Sequence, residues 1–313
     1  MRKTVISLVA ALICMLTVAC RFEDTSEAML VVDSGEIVAT ESVVKIVTSS
    51  YPLEYFARRI GGDAVKVINV VPPGTEVHNF EPAPASIRVI NSADLVLYNG
   101  PEFEPWLGPA LESMDDAGIV VEVGVGLVGV QHSKDNFYGG DPHVWLDPLL
   151  AVKQAEAIRD VLIQMIPKSG AQFRTATKVL VAELESLHRD FVDGLSSCDL
   201  NVFVPTHAAY GHLASRYELE QKAMFGLSPE AEISPSELAQ LVDYLTAIGV
   251  RYVLTEPNMS LRYAEVLSRE INATLLELHP LESLTPNEAE RDEDYFSIMD
   301  SNLQTLQSAL ECV

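Results

Sequence analysis

Apolar and polar positions along the chain alternate between short β-branched runs and longer stretches of helical period. The runs at 43–50 ("VVKIVTSS") and 65–71 ("VKVINVV") read as strands. Between them, "PLEYFARRIGG" opens on proline, repeats apolar residues at helical spacing and stops at glycine, which makes the three segments a βαβ unit. The pattern continues with "PASIRVINSA" as a short helix, "DLVLYNG" as a strand, "EPWLGPALESMDDAG" as a helix and "IVVEVG" as a strand. Strands that alternate with helices predict a mostly parallel, covered sheet.

A second series of the same kind follows. It runs through "NVFVP" (201–205), a helix from about Ala208 to Tyr217, "EQKAMFG" (220–226), "SPSELAQLVDYLTAIG" (234–249), "RYVLTE" (251–256), "LRYAEVLSREI" (261–271) and "TLLEL" (274–278). Between the two series, a long helix is expected from Ser169 as N-cap to Gly194. Its apolar stripe is Phe173, Ala176, Leu180, Leu184, Leu187 and Phe191, at spacings of three and four. The fold class is therefore α/β, with two parallel-sheet lobes joined by one long rigid helix: an N-terminal lobe at 43–166, the linking helix at 167–196 and a C-terminal lobe at 197–313.

The first 42 residues depart from this pattern. Arg2 and Lys3 precede an apolar run from Thr4 to Ala19, too short for a membrane span and closed by small residues, as in an export signal. The run ends in "LTVAC", which resembles a bacterial lipobox with Thr17 where leucine is commonest, so residues 1–20 are expected to be a lipoprotein signal and Cys20 the lipidated residue. Residues 21–42, acidic and without periodicity, read as a flexible tether.

Composition narrows the function. With 313 residues, 48% of them hydrophobic, the chain can bury a sizeable core. Its formal charge is −24, and −26 once the two basic signal residues are removed, which argues against nucleic acid or an anionic membrane surface as partner. Loss of Cys14 with the signal and lipidation of Cys20 leave Cys198 and Cys312, either bridged or as two free thiols in an oxidising compartment.

The chemistry lies in the histidines. Of the seven, His78, His143, His207 and His279 sit just beyond a predicted strand or in a loop that opens a helix. In parallel α/β sheets, ligands bind outside the carboxyl ends of the strands, so two histidines from each lobe converge on one cleft between the lobes. A lone histidine is more often structural, but four that share one placement form a coordination pattern suited to Zn²⁺, Cu²⁺ or Ni²⁺.

The segments "VVPPGTEVHNFEPAPASIRVINSADLVLYNG", "DPHVWLDP" (141–148) and "PTHAAYGHLASRYEL" (205–219), in this order and with a long helix between the second and third, resemble the metal-specific solute-binding lipoproteins of bacterial ABC importers for zinc and manganese. The similarity runs from about residue 44 to the C-terminus. It implies two lobes that hold a divalent cation in their cleft, an ABC permease transmembrane subunit with its ATPase as partner, a lipid anchor outside the cytoplasmic membrane, a monomer, and no catalysis.

Carried over residue by residue, the family's first ligand is His78 in "GTEVH", the second His143 in "DPHVW" and the third His207 in "PTHAAYG". Imidazole at the third position favours Zn²⁺, with Mn²⁺ as the alternative, because manganese prefers oxygen. The fourth position departs from the family, which places an aspartate after the last strand, often as Asp-Pro-Leu. This chain reads "LELHPLESL", and the expectation is His279, with Glu277 and Glu282 as runners-up.

Other residues receive plainer readings. His188 lies off the helix stripe, His212 points away from His207, and His132 is alone in a loop where many zinc-type members carry a His-rich stretch. Pro72, Pro73, Gly74 and Pro142 shape the ligand loops, Glu81, Asp147 and Glu256 are helix caps or bond the imidazoles, and Trp106 and Trp145 pack. A zinc hydrolase would need an open coordination position with a base beside it, and no His-Glu-x-x-His helix, Gly-x-Ser-x-Gly elbow or phosphate-cradling loop is present. A metal-dependent adhesin on the same scaffold is the third class. Because imidazole must be neutral to bind metal, affinity is expected to fall below about pH 6.5.

Overall fold

Strands β1 (Val44–Thr48), β2 (Val65–Asn69), β3 (Leu95–Tyr98) and β4 (Ile119–Glu122) form one parallel sheet in the order β2-β1-β3-β4. The computed structural model describes residues 43–112, 118–124, 140–229 and 233–313. The signal, Cys20, the tether at 21–42 and His132 lie outside them. Strand β1 carries Ile46, Val47 and Thr48 fully inside, the continuous buried run expected of a central parallel strand. Helix α1 (Tyr51–Gly61) follows it, with Pro52 in the first turn and Gly62 at φ +51° ending it. Helices α2 (Pro84–Asn91) and α3 (Leu107–Leu111) complete this half.

Two long helices come next. Helix α4 (Pro148–Met165), which the sequence reading did not assign, starts on Asp147, whose side chain accepts the Leu149 N–H. Helix α5 (Gly170–Gly194) is the expected linking helix; its 25 residues reach about 38 Å. Its buried face is Phe173, Thr177, Leu180, Leu184, Leu187 and Phe191, so Thr177 stands where Ala176 was expected, with its hydroxyl bonded to Phe173 O at 2.8 Å. Helices α1 and α4 pack on α5 from one half of the chain, and α10 (Tyr295–Ala309) from the other.

The second half repeats the architecture with β5 (Val202–Phe203), α6 (Gly211–Arg216), β6 (Glu220–Gln221), α7 (Pro235–Ile248), β7 (Tyr252–Thr255), α8 (Arg262–Ile271), β8 (Thr274–Glu277) and α9 (Pro286–Glu290). Strand β5 pairs with β6 and β7 with β8, all parallel, and a bridge from Pro205 to Leu254 joins the two pairs, giving the order β6-β5-β7-β8. Val204, Met224, Leu245, Val253 and Leu267 form a separate small core there. Cys198 and Cys312 are joined by a disulfide that ties the start of this half to the C-terminus.

In both sheets the strand order reverses in the middle, between β1 and β3 and between β5 and β7. The loops leaving the carboxyl ends beside those points are where parallel sheets bind ligands. His78 follows β2, His207 follows β5, Glu256 follows β7 and Glu282 follows β8.

Candidate metal centre

Three of the four expected histidines meet. The Nε2 atoms of His143 and His207 lie 3.2 Å, and that of His78 3.5 Å, from one oxygen, Oε1 of Glu282. One donor atom from each of these four buried residues falls within 4.8 Å of every other. A tetrahedral zinc ion with ligands at about 2.0–2.1 Å has donor–donor edges of about 3.3–3.4 Å. The three distances from Glu282 are therefore those of a coordination shell around a single small cation. His78 Nε2 and His143 Nε2 are buried and, apart from their approach to Glu282 Oε1, have no hydrogen-bond partner, and neither has His78 Nδ1.

Two of the three imidazoles, those of His143 and His207, are each held at Nδ1 by a carboxylate. Asp141 Oδ1 takes both the backbone N–H of His143 (3.0 Å) and its Nδ1 (2.8 Å). Glu256 does the same for His207, with Oε1 on the backbone N–H (3.0 Å) and Oε2 on Nδ1. With Nδ1–H held by an acid, Nε2 is the atom presented to the metal. Glu76 fixes the His78 backbone N–H (2.8 Å) and that of Asn79 (2.9 Å), and the Phe103 ring stands edge-on to His78 at 4.7 Å. Trp106 Nε1–H donates to Val77 O (2.9 Å), which ties down the same loop.

The loop that carries Glu282 is bonded on all sides. Tyr210 OH donates to Leu278 O (2.7 Å), Asn302 Nδ2 to His279 O (2.8 Å), Trp145 Nε1 to Pro280 O (2.7 Å), Tyr51 N to Glu282 O (3.0 Å) and Gly74 N to Leu284 O (2.7 Å). Gly74, at φ +82°, makes this approach with Pro286 already 3.1 Å from where a Cβ would stand. Trp145 and Trp106 thus pack as expected and also brace ligand loops.

His279 stands outside the cluster, and its own bonding is the reason. Its Nδ1 accepts the Leu281 N–H at 2.8 Å, so its proton is on Nε2, which bonds Glu288 Oε2 at 3.2 Å. Both ring nitrogens are engaged, and Glu282, three residues on, fills the fourth place. Glu277, the other runner-up, is exposed at the end of β8. Of the three acids set beside the ligands, Glu256 bonds an imidazole, Asp147 caps α4 and pairs with Arg216 (2.8 Å), and Glu81 is exposed. Asp141 and Glu76 went unassigned in the sequence, although each lies two residues before a ligand histidine, the spacing at which a short acid reaches a following backbone N–H. His212 Nε2–H donates to Asp141 O (2.9 Å), behind His143, and His188 contacts Tyr217 OH.

Electrostatics follow from this packing. Burial works against charge on His143, but Asp141 and Glu282 outweigh it and lift its pKa above the ordinary imidazole value. Burial is likewise outweighed at His207 by Glu256 and Glu282, which lift it well above that value. Burial pushes the Glu282 carboxyl up, yet His78, His143 and His207 hold it well below the usual carboxylate range. These raised values favour protons on His143 and His207, which offset the buried carboxylates around them.

Two parallel sheets whose strand order reverses in the middle, with three imidazoles and a carboxylate gathered and buried beside their carboxyl ends, define a two-lobed α/β protein with a candidate divalent-cation site. Residues 46–309 match the family described as zinc-uptake complex component A, periplasmic (ZnuA), and the chain belongs to that family. It is 32% identical over 296 residues to the zinc-binding lipoprotein AdcA of Streptococcus pneumoniae, covering 91% of this chain and 59% of that protein. The chain thus spans about three-fifths of the length of that relative. It is 30% identical over 277 residues to the high-affinity zinc uptake system protein ZnuA of Bacillus subtilis, covering 85% of this chain and 87% of that one. A solved structure of the Zn(II)-bound ZnuA-like domain of Streptococcus pneumoniae AdcA superposes with a TM-score of 0.73 at 34% identity, over 86% of this chain and all of that one.

Proposed function

We propose that this protein captures Zn²⁺ outside the cytoplasmic membrane, with His78, His143, His207 and Glu282 as ligands, and hands it to the permease of an ABC importer driven by its ATPase. Cys20 carries the lipid that tethers it, and its work is binding and transfer without chemical turnover. The observation that carries the reading is the convergence of three imidazole Nε2 atoms on Glu282 Oε1 at 3.2, 3.2 and 3.5 Å. Family membership and the zinc-binding relatives support it.

The donor set also selects the metal. Three imidazoles with one carboxylate suit Zn²⁺, whereas Mn²⁺ prefers oxygen and stands far lower in intrinsic affinity for nitrogen sites. Glu282 is the single feature that suits manganese. The test is a competition titration of the metal-stripped full chain with Zn²⁺ and Mn²⁺, for wild type and Glu282→Ala. One-to-one zinc binding, much tighter than manganese and weakened sharply in the variant, is expected. Preference for manganese, or an indifferent variant, refutes the assignment.

A further inference from the structure

We infer that His279 is a positioning residue for the metal-binding carboxylate: its imidazole holds the turn at Leu281 that points Glu282 into the site. This rests on the ligand set proposed above.

The turn is conformationally demanding. Leu281 sits at φ +62°, in the left-handed region that a branched non-glycine residue seldom occupies, and such a conformation persists only where its surroundings over-determine it. The bond from Leu281 N–H to His279 Nδ1, at 2.8 Å, is that constraint. It spans two residues, as an Asn or Asp side chain does in an Asx turn, but with a ring long enough to reach a second partner. That partner is Glu288, on α9, 3.2 Å from Nε2.

Glu288 is itself fixed. Its Oε2 accepts the Thr285 N–H (2.7 Å) and hydroxyl (2.8 Å) in the capping box that starts α9. Burial works against its charge, but His279 and Thr285 together bring its pKa down to about 2. The backbone of His279 is held in both directions by Asn302 on α10, through N–H to Oδ1 and from Nδ2 to O, each at 2.8 Å. The ring is 4% exposed and so cannot swing away. A rigid path therefore runs from α9 and α10 through the imidazole to the Leu281 N–H, and the next residue is the ligand.

The test compares Zn²⁺ affinity, by competition with a chromophoric chelator, for wild type, His279→Ala, His279→Asn, Glu282→Ala and His279→Ala/Glu282→Ala. Unfolding of each metal-free protein and the Co²⁺ visible spectrum are read alongside. His279→Ala should weaken zinc about 10–100-fold, the range seen when a group orienting a ligand is removed, and shift the Co²⁺ spectrum toward that of Glu282→Ala. His279→Asn should restore most of the affinity, because its Oδ1 can accept the Leu281 N–H. In the Glu282→Ala background, His279→Ala should cost nothing further, since its effect passes through Glu282.

An equal loss in both backgrounds, or an Asn variant as weak as Ala, overturns the inference. Weak Glu282→Ala with unaffected His279→Ala removes the positioning role and leaves the ligand set standing. Wild-type affinity in Glu282→Ala removes both. Should His279→Ala not fold, His279→Gln takes its place. It retains reach toward Glu288 but has one carbon too many for the two-residue turn.

Discussion

Zinc loading should expel up to two protons, one each from His143 and His207, between the ordinary imidazole value and their raised ones. His143 and His207 are almost wholly buried and their imidazoles are lifted above the ordinary value of about 6.5 by Asp141, Glu256 and Glu282. Both must shed the Nε2 proton to bind metal. From about pH 6.5 up to the raised values, log K for zinc should climb with a slope near 2, about 100-fold per pH unit or about 2.7 kcal/mol at about 1.36 kcal/mol per proton. The fall in affinity on acidification thus begins above pH 6.5, earlier than free imidazole would give. Calorimetric titration in buffers of differing ionisation enthalpy counts the protons directly. A count near zero at pH 7, with affinity flat until pH 6.5, would refute the assignment of protons to these two rings. The same groups set the stability of the metal-free protein. The raised histidines contribute fully below about pH 6.5 and lose that contribution as pH rises through their folded values. The depressed Glu282 contributes above about pH 4.5 and loses it only as pH falls through its folded value. Metal-free protein should hold both contributions in full between about pH 4.5 and 6.5, and the rise in Tm on adding zinc should grow with pH above that window.

Three other outcomes are expected. Trp145→Phe keeps the buried ring but strands Pro280 O, at a cost of about 1–3 kcal/mol in urea unfolding, whereas an unchanged midpoint would show that the bond at 2.7 Å contributes nothing. Reducing the Cys198–Cys312 disulfide, or replacing both cysteines with serine, opens a link spanning 114 positions and should lower stability by up to about 4–5 kcal/mol, read as a drop in denaturation midpoint with reductant. Gly124→Ala would place a Cβ 1.8 Å from Asn99 O, a backbone atom that cannot yield, and should destabilise by about 3 kcal/mol or more; a well-folded variant of unchanged Tm would contradict the packing.

How much was legible in the sequence depended on whether the signal was local. The strands of both sheets, and α1, α5, α7 and α8, carry their own periodicity and stops, such as the Ser234–Glu237 capping box and Gly249 at φ +76°, and they stand within a few residues of expectation, except that β6 is only Glu220–Gln221 where 220–226 was expected. Helix α4 escaped because the polar Gln154 interrupts its buried stripe and apolar Val152, Ala157, Val161 and Ile163 lie beside or off it, although Asp147 and Pro148 mark its start. His78, His143 and His207 were legible as strand-end histidines. The fourth member of the cluster was not, because "LELHPLESL" offers a histidine and two acids within six residues, and it is Glu282, after a left-handed turn at Leu281, that joins the three histidines. Nothing in composition foretells that turn.

The surrounding acids explain why such a site can be filled and emptied without unfolding its walls. Asp141, Glu256 and Glu282 are each no more than 7% exposed, and three carboxylates so placed, with neutral imidazoles among them, would be an uncompensated buried charge. Where both His143 and His207 are protonated in the metal-free protein, they carry two positive charges. In the loaded protein a dication held by the same rings would supply the same two. The exchange is charge for charge, so the electrostatic fit of the cleft is the same before and after, and the hydrogen bonds to Nδ1 of both rings survive it. Asp141 and Glu256, ahead of Glu282, are what raise the two imidazoles, and Glu282 adds a carboxylate beside them that favours protonated rings in the metal-free protein as it would favour a dication in the loaded one.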